Sequence, residues 1–294
     1  MNSSKIIFNQ LVSEITSVYE ENEAKSLVYL LLDHCLRISK TDILLDNPVS
    51  QIFDFTEIIQ RIKAQEPVQY VIGETEFYGR KFKVTPDTLI PRPETEELVQ
   101  LTVNIYQSGC EPLTIKNLEQ ECFPSLIRIL DIGTGTGCIA ISLACELPNS
   151  QVYAYDISGN ALKVAEENAE RNGANVTFEQ VDILNLSPSS LSPFSIIVSN
   201  PPYVMNTEKA EMERNVLEYE PHLALFVEDN NPLLFYKVIA EFAAKNLIDG
   251  GMCVVEINQA FGIETADLFR KQGFSNVEVV KDMFGKDRMV KAIK

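Results

Sequence analysis

Paired cysteines, long apolar runs, basic charge and histidine are all scarce in this chain of 294 residues. Its six cysteines, Cys35, Cys110, Cys122, Cys138, Cys145 and Cys253, form no C-x-x-C pair and have no histidine at a matching spacing, which argues against a zinc site or a redox dithiol. Their neighbours are apolar, as in Cys138-Ile139-Ala140-Ile141, so reduced, packed thiols are expected. No run approaches the roughly 18 apolar residues of a membrane span, and no basic segment with an apolar core opens the chain, so a cytoplasmic protein with no membrane partner is expected. Lysine and arginine number 25 against 42 aspartates and glutamates, a net charge of −17. Such a surface repels phosphate backbones, so nucleic acid is not expected as the main partner and a basic partner is favoured. Of the two histidines, His34 lies among apolar helix positions and reads as a packed or capping side chain, while His222, after Glu220-Pro221, is a weak candidate for the site.

What is present is a chain of two textures, long enough for two domains. From Ser4 to about Lys63 apolar residues recur at helical spacing: Ile7, Leu11, Ile15 and Val18, then Leu27, Leu30, Leu31 and Cys35, then a third segment from Val49 to Ile62. Three or four short helices fit, with Asp46-Asn47-Pro48 as a breaker. Between Glu66 and Pro93 the composition turns to glycine, aromatic and β-branched residues, which predicts a hairpin around Tyr78-Gly79-Arg80. Pro91 and Pro93 then enforce an extended loop before a helix with an acidic first turn. After a polar insert at about Gln107 to Ser125, strands and helices alternate, starting with a buried strand at Leu126 to Ile132. Helices are predicted at Cys138–Glu146, Asn160–Asn172, Pro232–Asn246 and Ile263–Gln272. Strands are predicted at Gln151–Tyr155, Val176–Val181, Phe194–Ser199, Met252–Ile257, Val277–Val280 and Arg288–Ile293. This alternation is that of an α/β doubly wound parallel sheet with an antiparallel last pair. The expected division is a helical domain over residues 1–72 serving substrate recognition, a β-hairpin linker over 73–90, and a sheet domain over 91–294.

Four strand ends carry the chemistry. Asp131-Ile132-Gly133-Thr134-Gly135-Thr136-Gly137-Cys138 lies where the first strand of the sheet turns into a helix, and its glycines let the backbone pass close to a ligand. No Gly-Lys-Ser/Thr follows, so it is not a phosphate-binding P-loop. Asp156, nineteen residues after Gly137, ends the second strand, where a carboxylate can accept from both ribose hydroxyls; Asp182 ends the third. That set suits an adenosine whose other end is not a pyrophosphate. Asn200-Pro201-Pro202-Tyr203 closes the fourth strand as a rigid turn, because neither proline has an N–H and each restricts the residue before it. An amide or exocyclic nitrogen is a poor nucleophile because its lone pair is delocalised. If the Asn200 side-chain oxygen and the Pro201 carbonyl accept its two N–H bonds, the lone pair stays on nitrogen and is aimed at an electrophilic methyl. The Tyr203 ring is expected to pack on the planar group, near a sulfonium. Glu208, Glu211, Glu213, Glu218 and Glu220 form an acidic stretch that reads as a solvated helix face or a contact for a basic substrate, and no metal is expected.

With these residues in view, the second half resembles the Rossmann-like class I S-adenosylmethionine-dependent methyltransferases. The whole chain resembles the HemK/PrmC family, the peptide chain release factor N5-glutamine methyltransferases. Asp33-His34-Cys35-Leu36, Glu66-Pro67-Val68-Gln69-Tyr70, the run from Phe77 through Leu98, Glu220-Pro221 with Ala224-Leu225, and Asp282 with Gly285, Asp287 and Arg288 all resemble that family's blocks. The resemblance implies methyl transfer from S-adenosylmethionine, leaving S-adenosylhomocysteine, to the glutamine of a Gly-Gly-Gln motif in class 1 release factors, by a monomer. It implies that Gly133, Thr134, Gly135, Thr136 and Gly137 line the methionine part of the cofactor and that Asp156 holds the ribose. By the same resemblance Asp182 and Ile183 border the adenine, and Asn200 through Tyr203 hold the glutamine, Asn200 also touching the cofactor. Arg92 and Glu94 are expected at a lid edge, orienting substrate or serving structure alone. Two departures stand out: Ile183 occupies a position that is often aromatic, and the usual Glu-Ile-Gly reads Glu256-Ile257-Asn258. Two other substrates use the same motif, a glutamine of a large-subunit ribosomal protein and a flipped adenine or cytosine amino group in DNA or RNA. A non-catalytic cofactor-binding adaptor would be expected to have lost the glycine loop or Asn200, and both are intact.

Overall fold

The computed structural model describes residues 2–107, 127–186 and 193–294, and the chain divides into two compact units. The first comprises Met1–Glu74 with Glu213–Tyr219, the second Thr75–Met212 with Glu220–Lys294. Most of the polar insert, together with Leu126, Cys110 and Cys122, lies outside the described residues.

In the first unit, β1 (Asn2–Ser3) leads into α1 (Ser4–Ile15), where the Ser3 hydroxyl accepts from the Ile6 amide and caps the helix. α2 (Glu21–Leu36) opens with Glu21 and Glu23 against the positive end of its dipole and stops at Arg37, which adopts φ 56°. α3 (Lys40–Leu44) is held by a capping box between Ser39 and Asp42. β2 (Pro48–Val49) pairs antiparallel with β1, and α4 (Thr56–Lys63) and the short α5 (Val68–Ile72) complete the unit. Ile15, Val28, Leu31, Leu32 and Ile62 form its solvent-excluded centre. The helix expected over residues 49–62 begins only at Thr56: Val49 is spent on the β1 pairing, and the Asp54 carboxylate accepts from the Thr56 amide, so the first turn starts there. Glu213–Tyr219, far along the chain, groups with this unit, and the Tyr219 hydroxyl donates to the Ala64 carbonyl at 2.9 Å.

Next along the chain come the paired strands β3 (Glu74–Phe77) and β4 (Arg80–Lys83), a hairpin that belongs to the second unit from Thr75 on. Its turn residues Tyr78 and Gly79 have φ of 50° and 69°, the left-handed pair that two-residue hairpins need. α6 (Pro93–Gln107) follows, and then β5 (Ile127–Ile132), α7 (Cys138–Glu146), β6 (Ser150–Asp156), α8 (Gly159–Asn172), β7 (Val176–Gln180) and β8 (Phe194–Ser199). After β9 (Val204–Met205), α9 (Arg214–Tyr219) and β10 (Phe226–Val227), the chain returns through α10 (Leu234–Asn246), β11 (Leu247–Glu256), α11 (Gly262–Lys271), β12 (Ser275–Lys281) and β13 (Asp287–Ile293). Seven strands make one sheet in the order β12-β13-β11-β8-β5-β6-β7. β5, β6, β7, β8 and β11 run parallel, while β13 pairs antiparallel with both β11 and β12. The last strand therefore enters between the fifth and the sixth strands of the sheet, a position its pattern does not encode.

Strand alternation sends Ile127, Ile129, Ile196, Val198 and Val254 to a core shared with α6 and α7, and Leu130, Ile132, Ile197, Cys253 and Val255 to a core shared with α10 and α11. The sheet is thus covered on both faces, as the doubly wound α/β class requires. No helix among the described residues is long and apolar enough to cross a membrane.

Candidate active site

Chain order along the sheet reverses between β5 and β8, and the crevice outside such a reversal is where open α/β sheets receive ligands. The glycine loop leaves β5 there and Asn200 leaves β8 beside it; a Cβ built on Gly133 would stand 4.0 Å from the Asn200 carbonyl oxygen. Two bonds tie the loop to β6: the Gly133 and Thr134 amides both donate to the Tyr155 carbonyl, at 2.8 and 3.0 Å. The next amide, of Gly135, donates to Asp156 Oδ2 at 2.8 Å. A cavity of about 300 Å³ opens over this junction, lined by Gly133, Gly135, Asp156, Asp182 and Ile183 on one side and by Asn200, Pro201 and Pro202 on the other.

Within the glycine loop the roles separate. Gly135 has φ 54° and open space where a Cβ would be, so the backbone can meet a ligand directly. At Gly137 a Cβ would fall 2.9 Å from Ile141 Cδ1 and 3.1 Å from Ala165 Cβ, so that glycine serves the packing of α7 against α8. Thr134 and Thr136 are buried, and Thr134 Oγ1 donates to Asp131 Oδ2 at 2.6 Å. Of the five loop residues expected at the cofactor, Gly133 and Gly135 thus line the cavity, while Thr134, Thr136 and Gly137 pack beneath. Asp131 itself is wholly buried, and burial pushes its carboxyl up to about 7.

Asp156 also accepts from the Ser158 amide at 2.9 Å, yet burial still raises its carboxyl above the ordinary value. Further donors, such as the hydroxyls of a ribose, would relieve that desolvation. Asp182 directs its two oxygens to the Leu184 amide and the Asn185 side chain, which fixes the following turn. Ile157, Leu184 and Leu223 remain exposed at the cavity walls and offer apolar faces to a planar base. A carboxylate in the cavity lining, apolar side chains beside it and bare loop backbone fit an adenosine-bearing donor. Among the described residues no cluster of histidine, cysteine and carboxylate could hold a metal ion.

The Asn200-Pro201-Pro202-Tyr203 turn is anchored from below. Ser199 Oγ donates to the Ile132 carbonyl at 2.7 Å, and the amides of Tyr203 and Val204 donate to the Leu225 carbonyl at 3.2 and 2.9 Å. Asn200 Nδ2 donates to Thr95 Oγ1 at 3.1 Å, and Thr95 Oγ1 donates to Glu256 Oε2 at 2.7 Å. Tyr203 OH donates to the other oxygen of the same carboxylate at 3.1 Å. Among the described residues, no protein group donates to Asn200 Oδ1 or to the Pro201 carbonyl. Burial raises the Glu256 carboxyl, opposed by the bonds from Thr95 and Tyr203 and by Arg288, and burial holds the Tyr203 phenol well above its ordinary range, so it stays a donor. Tyr203 is thereby turned towards Glu256 and is absent from the cavity lining, away from the stacking role expected of it.

Arg92 and Glu94 are likewise outside the lining. Arg92 Nη2 donates to Glu220 Oε1, and Glu220 Oε2 accepts from the Ile90 amide at 3.1 Å. Glu220 is 4% exposed, which removes it from the solvated acidic face expected of its stretch; a carboxylate there needs the Arg92 charge, and the pair ties the 90–92 loop to the segment before Leu223. Glu208 too has a structural partner set, accepting from the Met205 amide and from Asn258 Nδ2, which also donates to the Tyr203 carbonyl. His222 stands edge-on to Phe226 at 5.1 Å. Thr95 and Glu256 went unread as site residues in the sequence; the signals for Glu256 were its place in the Glu256-Ile257-Asn258 block and a carboxylate in the last position of a buried strand.

Residues 8–73 match the family described as PrmC N-terminal domain, and residues 124–259 match one described as a methyltransferase domain. A release factor glutamine methyltransferase of Flavobacterium psychrophilum is 45% identical over 96% of each chain. Its counterpart in Bacteroides thetaiotaomicron is 43% identical over 95% of each chain, and that of Bacillus subtilis 39% identical over 93% of this chain and 91% of its own.

Proposed function

The chain belongs to the release factor glutamine methyltransferase family, and from that premise we propose how its residues divide the work. The reaction is methyl transfer from S-adenosylmethionine to a glutamine side-chain amide of a peptide chain release factor. Asn200 Oδ1 and the Pro201 carbonyl accept the two N–H bonds of that amide, which keeps its lone pair on nitrogen and fixes its direction. The observation that carries this reading is the pair of unused acceptors at the cavity wall, on a turn whose prolines and anchors allow little movement. Pro202 shapes the turn, and Tyr203 secures its far end to Glu256.

Gly133 and Gly135 hold the amino-acid end of the cofactor by backbone, Asp156 the ribose, and Asp182 with Ile183 the edge of the base. When bound, S-adenosylmethionine supplies a methyl group on a positively charged sulfur. Transfer of that methyl to the nitrogen held by Asn200 and Pro201 would leave S-adenosylhomocysteine, and the proton of the alkylated nitrogen would pass to water. No metal takes part. Arg92 holds its loop at the cavity edge through Glu220. Residues 1–72 serve to recognise the release factor, residues 73–90 link, and residues 91–294 carry catalysis. The working form is a cytoplasmic monomer with no direct nucleic-acid contact, and the substrate glutamine is that of the Gly-Gly-Gln motif of class 1 release factors.

The test is a labelled-methyl assay of the purified protein against an unmethylated class 1 release factor, a large-subunit ribosomal protein and an oligonucleotide, with mass mapping of the modified residue. Label on the Gly-Gly-Gln glutamine alone is expected. Label on the ribosomal protein or the nucleic acid, with none on the release factor, would overturn the substrate assignment.

A further inference from the structure

The hydrogen-bond chain beneath the turn has a direction, and that direction decides what the substrate meets. Glu256 is wholly buried at the end of β11, and as a carboxylate it can only accept. It accepts one bond from Thr95 Oγ1 and one from Tyr203 OH. A threonine hydroxyl has a single proton. With that proton committed to Glu256, the Thr95 oxygen can offer Asn200 only a lone pair. The amide end of Asn200 that faces Thr95 must then be the NH2 end, and the carbonyl end is left for the cavity. In the opposite orientation two oxygen lone pairs would meet at 3.1 Å inside the protein, and the cavity would show an NH2 group to the NH2 group of a glutamine.

We propose that Thr95 and Glu256 are positioning residues that act as an orientation lock on Asn200, setting the polarity of the acceptor that receives the glutamine amide. Neither touches the reacting atoms. The lock rests on the reading of Asn200 given above and extends it to two residues 105 and 56 positions away in the chain. Three elements converge in it: α6 brings Thr95 in its first turn, β11 brings Glu256 at its last residue, and the turn after β8 brings Asn200 and Tyr203. Glu256 thereby holds both ends of the substrate turn with its two oxygens, one through Thr95 and one directly.

The experiment compares Thr95→Val, which keeps the shape of threonine and removes the hydroxyl, with Thr95→Ser, which restores it, in the full-length protein. With unmethylated release factor, Thr95→Val is expected to lower kcat by about tenfold to a hundredfold while KM for the release factor and Kd for S-adenosylmethionine stay within about threefold, because misorientation is felt in the transition state. Thr95→Ser should return kcat to within about threefold of the parent. Glu256→Gln, which puts a possible donor where only an acceptor stood, is expected to lower kcat like the valine. A packing role alone would shift the melting temperature or cofactor affinity and leave kcat unmoved. Full kcat in Thr95→Val, or a kcat loss that serine does not rescue, overturns the lock; full kcat in Glu256→Gln overturns its polarity. If the valine variant does not fold, Thr95→Ala carries the same expectation. Asn200→Ala, run alongside, separates the two levels. If it is inactive while Thr95→Val is fully active, only the lock is lost; if it is fully active, the role of Asn200 itself is lost.

Discussion

The two units differ most in what they bury. Among the described residues, the helical unit has one buried polar side chain, Ser4, whereas the sheet unit buries Asp131, Glu220, Glu256 and Asp282 along with several threonines, serines and asparagines. Burying a charge is costly unless it is partnered, so an apolar interior is the cheaper construction. The helical unit has it. In the sheet unit the buried carboxylates stand mostly at strand ends and under loops, each with donors: Thr95 and Tyr203 for Glu256, Arg92 and Ile90 for Glu220, Arg288 and backbone amides for Asp282. The contrast teaches that polarity is sunk into this protein where a loop or a side chain must be held in one orientation, and is left out where helices need only to pack.

The sharpest break of that contrast is at the turn itself. Asn200→Ala removes an acceptor at the reacting nitrogen and is expected to lower methyl transfer by about a thousandfold with little change in melting temperature, read by labelled-methyl incorporation and thermal unfolding. Undiminished turnover would remove the turn from the mechanism. In the helical unit the opposite split is expected. Leu32→Ala empties a fully buried site and should cost about 3 kcal/mol in denaturant unfolding, yet leave the Kd for S-adenosylmethionine unchanged below the transition. Asp156→Ala should weaken that Kd by about tenfold or more in calorimetry, since one charged acceptor for a ribose is lost.

The contrast can also be sharpened by pH, at a buried carboxyl of the sheet unit. The Asp131 carboxyl is raised by burial from 3.8 to about 7, so the folded protein retains a proton that the unfolded chain releases. Its contribution to stability is complete below the unfolded value and is lost as pH rises through the folded one. The melting temperature of Asp131→Asn should therefore gain on that of the parent as pH is raised from about 4 to about 7. A constant difference across that window would show that Asp131 is charged in the fold throughout.

The sheet strands were legible in the sequence because strand and helix periodicities are local, and so were the glycine loop and the Asn-Pro-Pro-Tyr turn, whose residues are contiguous. The hairpin was legible from Tyr78-Gly79. What escaped were pairings across long separations. Nothing near Thr95 announces that its hydroxyl will lie between Asn200 and Glu256, 105 and 161 residues on. Glu220 read as one of a run of surface acids, yet it is the one that Arg92 draws inward. Residues 49–55 kept an apolar rhythm that suggested helix, but pairing of Pro48-Val49 with Asn2-Ser3 delays the helix to Thr56. The place of β13 between β11 and β12 is again a long-range choice.

That placement has a consequence for the order of assembly. Among the described residues β12 pairs with β13 alone, and β13 is made after it, so while the chain is still growing β12 has no strand partner there and the edge of β11 stands open. The closing strand also brings Lys294, whose amide donates to the Gly251 carbonyl and whose own carbonyl accepts from Gly250. A ribosome that stalls or is truncated before Asp287 thus leaves a sheet with an unpaired edge, prone to pairing with other chains. Completion of the sheet waits on a strand that is made after the six others it joins.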